Sequence, residues 1–178
     1  MSDTTPQTEV LVWDASGLFH AGRCDRLDVL LDLSRAGSTT SVRHVTTAAV
    51  AEELRNSGIQ TPEDVEIVHV DNLDELGALV AWVQRLSSDR HDRGEATVCA
   101  WAEVHRATAI MDDATARRAA AHAGLDVHGT LWLLARGATR TGSWSSASMY
   151  ADLFLQDGAR YPFTPGGFRA WASAQGLA

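Results

Sequence analysis

The chain contains no lysine; all fifteen of its basic residues are arginine. That absence excludes a P-loop lysine, a Schiff-base lysine and the lysine that stands beside a phosphorylated aspartate. Cysteine is scarce as well. Cys24 and Cys99 lie far apart and form neither a CxxC pair nor a zinc motif, so both read as inert thiols. No apolar run approaches the roughly 18 residues that suggest a membrane span. The opening MSDTTPQTE is polar and acidic, without the basic start and apolar stretch of a signal peptide. Residues 1–9 are therefore expected to form a disordered polar tail, and the protein to be cytoplasmic with no membrane partner. Positive charge is short too. At a net charge of −8, any nucleic-acid ligand requires arginines concentrated on one face, because phosphate binding needs counter-charge. The seven histidines are scattered and form no HExxH, so none marks a zinc site.

What is present is an ordinary globular composition, 45% hydrophobic and 21% charged over 178 residues, enough for one domain with a real core. EVLVWD (9–14), SVRHVTT (41–47), VEIVHV (65–70), ATAIM (107–111) and LDVHG (125–129) read as short strands rich in β-branched and apolar residues. Helical patterning fills the intervals. It covers 16–37 with a break near Gly22, and 47–58 from Thr47 to a closing glycine. It continues over 73–88 behind a cap at Asp71 or Asn72, then 95–106, 113–124 and 130–138. DRHDRGE (89–95) reads as a charged loop. From Ser143 the chain reads as a small helical tail with a turn at YPFTPGG (161–167). The expected organisation is a domain over 10–142 and a helical extension over 143–178 packed on it. Strands alternating with helices imply a mostly parallel sheet covered on both faces.

In such folds functional groups gather beyond the carboxyl ends of the strands. Two predicted strand ends carry acids: Asp14 after VLVW, and the adjacent Asp112 and Asp113 after TAIM. Glu53 lies in the helix after the second strand, and Glu95 opens the helix before the Asp112 strand. Carboxylates from four elements meeting on one edge would form a hard oxygen site suited to Mg²⁺ or Mn²⁺. Without a cation they would raise one another's pKa values. Each acid has a plainer role available. Asp14, Asp112 or Asp113 can cap a helix, Glu53 can be a solvated surface residue beside Glu52, and Glu95 suits a helix N-terminus through the dipole alone. Only the joint pattern favours a metal.

That pattern resembles the PIN-domain nucleases, in the branch with GEA before the late strand and DDxxAR after it. The matching stretches are VWDASGL with Asp14 and Ser16, AAVAEEL with Glu53, GEA with Glu95, and MDDATARRAAAHAGLDVHGTL with Asp112, Asp113, Arg117 and the Gly129–Thr130 turn. The resemblance implies a three-layer α/β/α sandwich and metal-dependent hydrolysis of phosphodiester bonds, usually in RNA. It implies catalytic roles for Asp14, Glu53, Glu95, Asp112 and Asp113, and an Mg²⁺ or Mn²⁺ held by Asp14, Glu95 and one or both of Asp112 and Asp113. Ser16 would hydrogen-bond near the site, and Arg117 would hold an acid or a phosphate. The family's toxin–antitoxin ribonucleases imply single-stranded RNA as substrate and an antitoxin protein as partner. Trp132 stands where the branch often has glycine, and Trp101 and His105 where aliphatic or small residues are common.

The alternative is a PIN-like interaction module with little or no turnover. A receiver domain would need the missing lysine, and a haloacid-dehalogenase-type phosphatase would want an aspartate at the position of Ser16. Trp132, Trp144, Phe154 and Trp171 give the last third more aromatic bulk than a helical cap needs. Residues 143–178 are therefore expected to take part in homodimerisation or in binding a partner protein.

Overall fold

A computed structural model describes residues 8–86 and 93–178. Most of the polar tail, residues 87–88 of the fourth predicted helix and residues 89–92 of the charged loop lie outside the described residues. The sheet is all-parallel and five-stranded: β1 (Glu9–Trp13), β2 (Val42–Thr47), β3 (Val65–Val68), β4 (Thr108–Ile110) and β5 (Val127–His128), in the order β3-β2-β1-β4-β5. Leu11, Val12 and Trp13 of the central strand are fully buried, as expected of a strand covered on both faces. The register pairs Trp13 with Thr46 on one side and Ile110 on the other.

The helices between the strands are α1 (Ala15–Arg23), α2 (Leu27–Arg35), α3 (Ala48–Asn56), α4 (Leu73–Leu86), α5 (Arg93–His105), α6 (Ala114–His122) and α7 (Thr130–Thr141). Helix α5 lies under β1, β2 and β4, flanked by α3 and α4. Its residues Ala96 to Ala102 are all buried, and four of these seven are alanine or cysteine, which lets the helix sit close to the sheet. Helices α2 and α7 pack together on the opposite side, completing the α/β/α sandwich. The tail forms α8 (Trp144–Gln156) and α9 (Phe168–Ala174), which pack on α7.

Three local expectations are refined. The break near Gly22 falls just beyond it, over residues 24–26, with Asp25 at φ 53°. Gly22 stays helical, and a Cβ there would stand 2.6 Å from Ile59 Cγ2, so that glycine serves packing. The cap of α4 is Asn72: its Oδ1 accepts from the Glu75 N–H at 2.9 Å, and Glu75 Oε2 accepts from the Asn72 N–H at 3.2 Å. This reciprocal pair is a capping box with Asn at its head. Third, the tail's aromatic side chains largely turn inward. Phe154 and Phe168 are buried, and Trp144, Phe163 and Trp171 ring Phe168 at centroid distances of about 6 Å. Most of the exposed large apolar side chains lie on α4: Leu73, Leu76, Val80 and Val83, with Ile67 on β3 and Met149 on α8 besides.

The unusual aromatics also find partners. Trp101 stacks on His105 at 4.1 Å, and His105 Nε2 meets Glu75 Oε1 at 2.7 Å, tying α5 to α4. Trp132 meets the His128 ring, stacked 3.8 Å away and nearly parallel, and the Arg136 guanidinium at 4.9 Å. Arg136 in turn forms a two-pronged pair with the Glu9 carboxylate, the geometry in which an arginine fork is held most firmly. No helix among the described residues is long and apolar enough to cross a membrane.

Candidate active site

The strand order reverses between β1 and β4. The chain first builds outward from β1 through β2 to β3, then returns to place β4 on the other side of β1. A crevice at such a switch point is where parallel α/β sheets place their ligands. Asp14 follows β1 and Asp112 follows β4 by two residues, so both stand at this point.

Asp14 is 3% exposed. Its N–H donates to Ile110 O at 2.8 Å, extending the sheet by one step. Its Oδ2 accepts from the Ser16 N–H at 3.1 Å and the Ser16 hydroxyl at 2.7 Å, capping α1. The Ser16 hydroxyl oxygen accepts in turn from the Asp112 N–H at 2.9 Å. Ser16 thus bridges the two acidic strand ends. Burial pushes the Asp14 carboxyl above its ordinary range; the bonds from Ser16 and Ala15 oppose that rise, and the charge of Asp112 adds to it.

The adjacent aspartates divide the work. Asp113 is exposed and caps α6, its Oδ1 accepting from Thr115 N at 2.8 Å and Ala116 N at 2.7 Å. Asp112 reaches across to α7, whose own cap position is Gly129 and has no side chain to offer; Asp112 Oδ1 accepts from the Thr130 N–H at 2.7 Å. Two helix N-termini therefore ease the repulsion between neighbouring carboxylates. A Cβ at Gly129 would stand 2.9 Å from Asp112 Oδ1, so the glycine of this turn makes room for the carboxylate. The other oxygen, Asp112 Oδ2, is buried with no hydrogen-bond partner among the described residues. Arg117 donates to Met111 O at 2.9 Å and stands 3.9 Å from Asp112 Oδ1, where it holds the strand end and faces the acid.

Glu53 projects from α3 and Glu95 from the first turn of α5. A Cβ on Gly94 would lie 3.0 Å from Glu53 Oε2 and 3.8 Å from Asp14 Oδ1, so that glycine separates two carboxylates by its own small width. Asp14, Glu53, Glu95 and Asp113 line one cavity of about 500 Å³, together with Ser16 and His20. Asp112 lies behind Ser16, beyond that wall. His20 was not singled out by the sequence; its Nδ1 is held by Asp157 Oδ2 at 2.9 Å, a contact 137 residues distant in the chain and invisible in any local motif. Beneath the cavity, burial pushes the Cys99 thiol up, with Asp14, Glu95 and Glu103 adding to the effect, so that it stays protonated and inert.

The donor set is all oxygen, which suits Mg²⁺ or Mn²⁺. The orphaned Asp112 Oδ2 fits as well, since a buried carboxylate oxygen without a donor calls for a cation. The carboxylates line the cavity without closing on a point: among the described residues, no three His, Cys, Asp or Glu side chains are grouped closely enough to hold an ion by themselves. An Mg²⁺ ion typically keeps several waters and takes only one or two carboxylates.

A parallel α/β/α sandwich with acids gathered over its switch point defines the class: proteins that carry out ligand chemistry beyond the carboxyl edge of a sheet. The family follows from the sequence match. The family model for the PIN domain covers residues 10–163, and the chain belongs to the PIN-domain family, whose members are in general nucleases. No curated protein matches the chain.

Proposed function

We propose that this protein is an Mg²⁺- or Mn²⁺-dependent endoribonuclease acting on single-stranded RNA. The observation that carries this reading is the buried Asp112 Oδ2, without a hydrogen-bond partner among the described residues, at the switch point where Ser16 links Asp112 to the buried Asp14 carboxylate. Asp14, Glu95, Asp112 and Asp113 are the proposed ligands, with Glu53 completing the acidic wall. A bound ion would supply an activated water and neutralise charge on the scissile phosphate. The protein's own part is positional. Ser16 fixes Asp14 against the Asp112 backbone, Asp113 and Asp112 are oriented by the helices they cap, and Arg117 braces the end of β4. A carboxylate of the wall, Glu53 or Glu95, accepts the proton of the attacking water.

A labelled single-stranded RNA should be cut in Mg²⁺ or Mn²⁺ and left intact in EDTA. Glu95→Gln should lower the rate by at least about 100-fold, the scale of a lost acid–base group, with an unchanged circular dichroism spectrum. Cleavage in chelator, or a fully active Glu95→Gln protein, would sink the mechanism. The toxin role rests on family resemblance; growth arrest on expression of the wild type but not of Glu95→Gln would support it. A second reading, an interaction module, is favoured by the exposed stripe on α4. Leu73, Leu76, Val80 and Val83 recur at the three-four spacing by which a like helix from a second copy packs. An inactive wild type that sediments as a dimer of the 19.2 kDa chain would favour this second reading.

A further inference from the structure

A second cavity, of about 700 Å³, adjoins the acid cavity and shares Asp113 and His20 with it. Its walls come from β5 and α7, from residues 158–177 of the tail, and from His20 and the Asp112–Arg117 segment on the side of the acid cavity. We infer that this cavity is a nucleotide subsite, which holds one unstacked base and a phosphate of the RNA strand next to the acid cluster. The inference rests on the ribonuclease reading for its substrate, but not for its geometry.

Four observations carry it. First, the volume is in the usual range of about 300–1,000 Å³ for small-ligand pockets. Second, the lining is aromatic, from His128, Trp132, Tyr161 and Trp171, and flat rings are what single-stranded bases pack against. Within that wall Trp132 stacks on His128 and meets the Arg136 guanidinium. Third, the Tyr161 hydroxyl is buried with no hydrogen-bond partner among the described residues. A buried hydroxyl is expected to be paired, and a base edge or ribose hydroxyl would pair it. Fourth, the cavity holds arginines where the acid cavity holds none: Arg117 and Arg160 line it beside Asp112 and Asp113, and Arg160 makes no ion pair among the described residues. With Arg117 facing Asp112, Arg160 is the guanidinium that offers a flanking phosphate its counter-charge. The aromatic walls distinguish this site from a simple anion site.

The test uses the full chain in EDTA, where no turnover occurs. Binding of the four ribonucleoside 5′-monophosphates, of ribose 5-phosphate and of a short single-stranded oligoribonucleotide is measured by calorimetry. At least one monophosphate should bind about 10-fold tighter than ribose 5-phosphate, since base–aromatic stacking contributes roughly that factor or more. Tyr161→Phe should weaken that monophosphate by about 2–10-fold, the usual scale of one neutral hydrogen bond. Arg160→Ala, at an exposed position that should not disturb folding, should weaken monophosphate and ribose 5-phosphate alike. Both variants should weaken the oligonucleotide in parallel. Equal affinity for ribose 5-phosphate and every monophosphate, or no binding of either, would overturn the inference. So would variants that lose the monophosphate but hold the oligonucleotide fully, since the pocket would then serve free nucleotides. Cleavage assays separate the two readings. RNA hydrolysis without monophosphate binding defeats the subsite alone, and monophosphate binding without hydrolysis defeats the nuclease alone.

Discussion

Replacing Asp14 with asparagine should stabilise the metal-free protein and remove most of its response to Mn²⁺. Asp14 is 3% exposed, and burial, together with the charge of Asp112, pushes its carboxyl toward the neutral form. Its folded pKa lies above the unfolded one, so its ionised form costs stability once the pH exceeds the ordinary carboxyl range. Asparagine keeps the cap, because its amide oxygen can accept from the Ser16 N–H and hydroxyl as Oδ2 does at 3.1 and 2.7 Å. Its amide NH₂ then takes the place of Oδ1, on the side of Gly94 and Glu53, where a donor is welcome. For a chain of this length each kcal/mol relieved raises the melting temperature by about 2–4 °C. The metal contribution is the larger effect. An ion at ~100 times its dissociation constant that binds only the native state adds about 2.7 kcal/mol, or about 5–11 °C. Scanning fluorimetry in EDTA and in excess Mn²⁺ measures both quantities in one plate. An equal Mn²⁺-dependent rise in wild type and Asp14→Asn would take Asp14 out of the site. A lower melting temperature for the metal-free variant would refute the burial argument.

Ser16→Ala removes the donor to Asp14 Oδ2 and the acceptor for the Asp112 N–H together; at about 1–3 kcal/mol for buried partners left unpaired, the melting temperature should fall by about 2–12 °C. An unchanged melting temperature would show that water replaces the hydroxyl without loss. His44 is buried, and its Nδ1 accepts from Trp13 Nε1 at 3.1 Å, which leaves the proton on Nε2, 3.2 Å from Ser34 Oγ. Burial, with Arg35 adding, pushes its pKa down from 6.5 to about 4. The neutral ring is favoured in the fold, so its contribution is complete above about pH 6.5 and declines as the pH falls toward 4. Between pH 7 and pH 5 this group alone should cost about 2 kcal/mol of stability. An NMR titration that found the ring protonating near its ordinary value would refute this.

The sequence by itself determined the elements and the identity of the acids. Short apolar runs such as EVLVW and capped helical stretches such as TAAVAEELRNSG are local signals, set by backbone geometry and side-chain direction within a few residues. The alternation of strand and helix was likewise enough to imply a parallel sheet and to place Asp14 and Asp112 at strand ends. What each carboxylate oxygen does was beyond local reading. Asp112 and Asp113 are indistinguishable as neighbours in a string; they diverge because one N-terminus waiting for a cap belongs to α6, directly ahead, and the other to α7, eighteen residues on. The same limit hid the Ser16 bridge, the hold of Asp157 on His20 and the second cavity, whose lining runs from His20 to Leu177. It also left open which apolar faces are exposed. The tail's aromatics signalled bulk but not direction: Phe154 and Phe168 are buried, while Leu73, Leu76, Val80 and Val83 of α4 and Met149 of α8 stay exposed. Hydrophobic pattern fixes which face of an element is apolar; only the packing of the other elements decides which of those faces is covered.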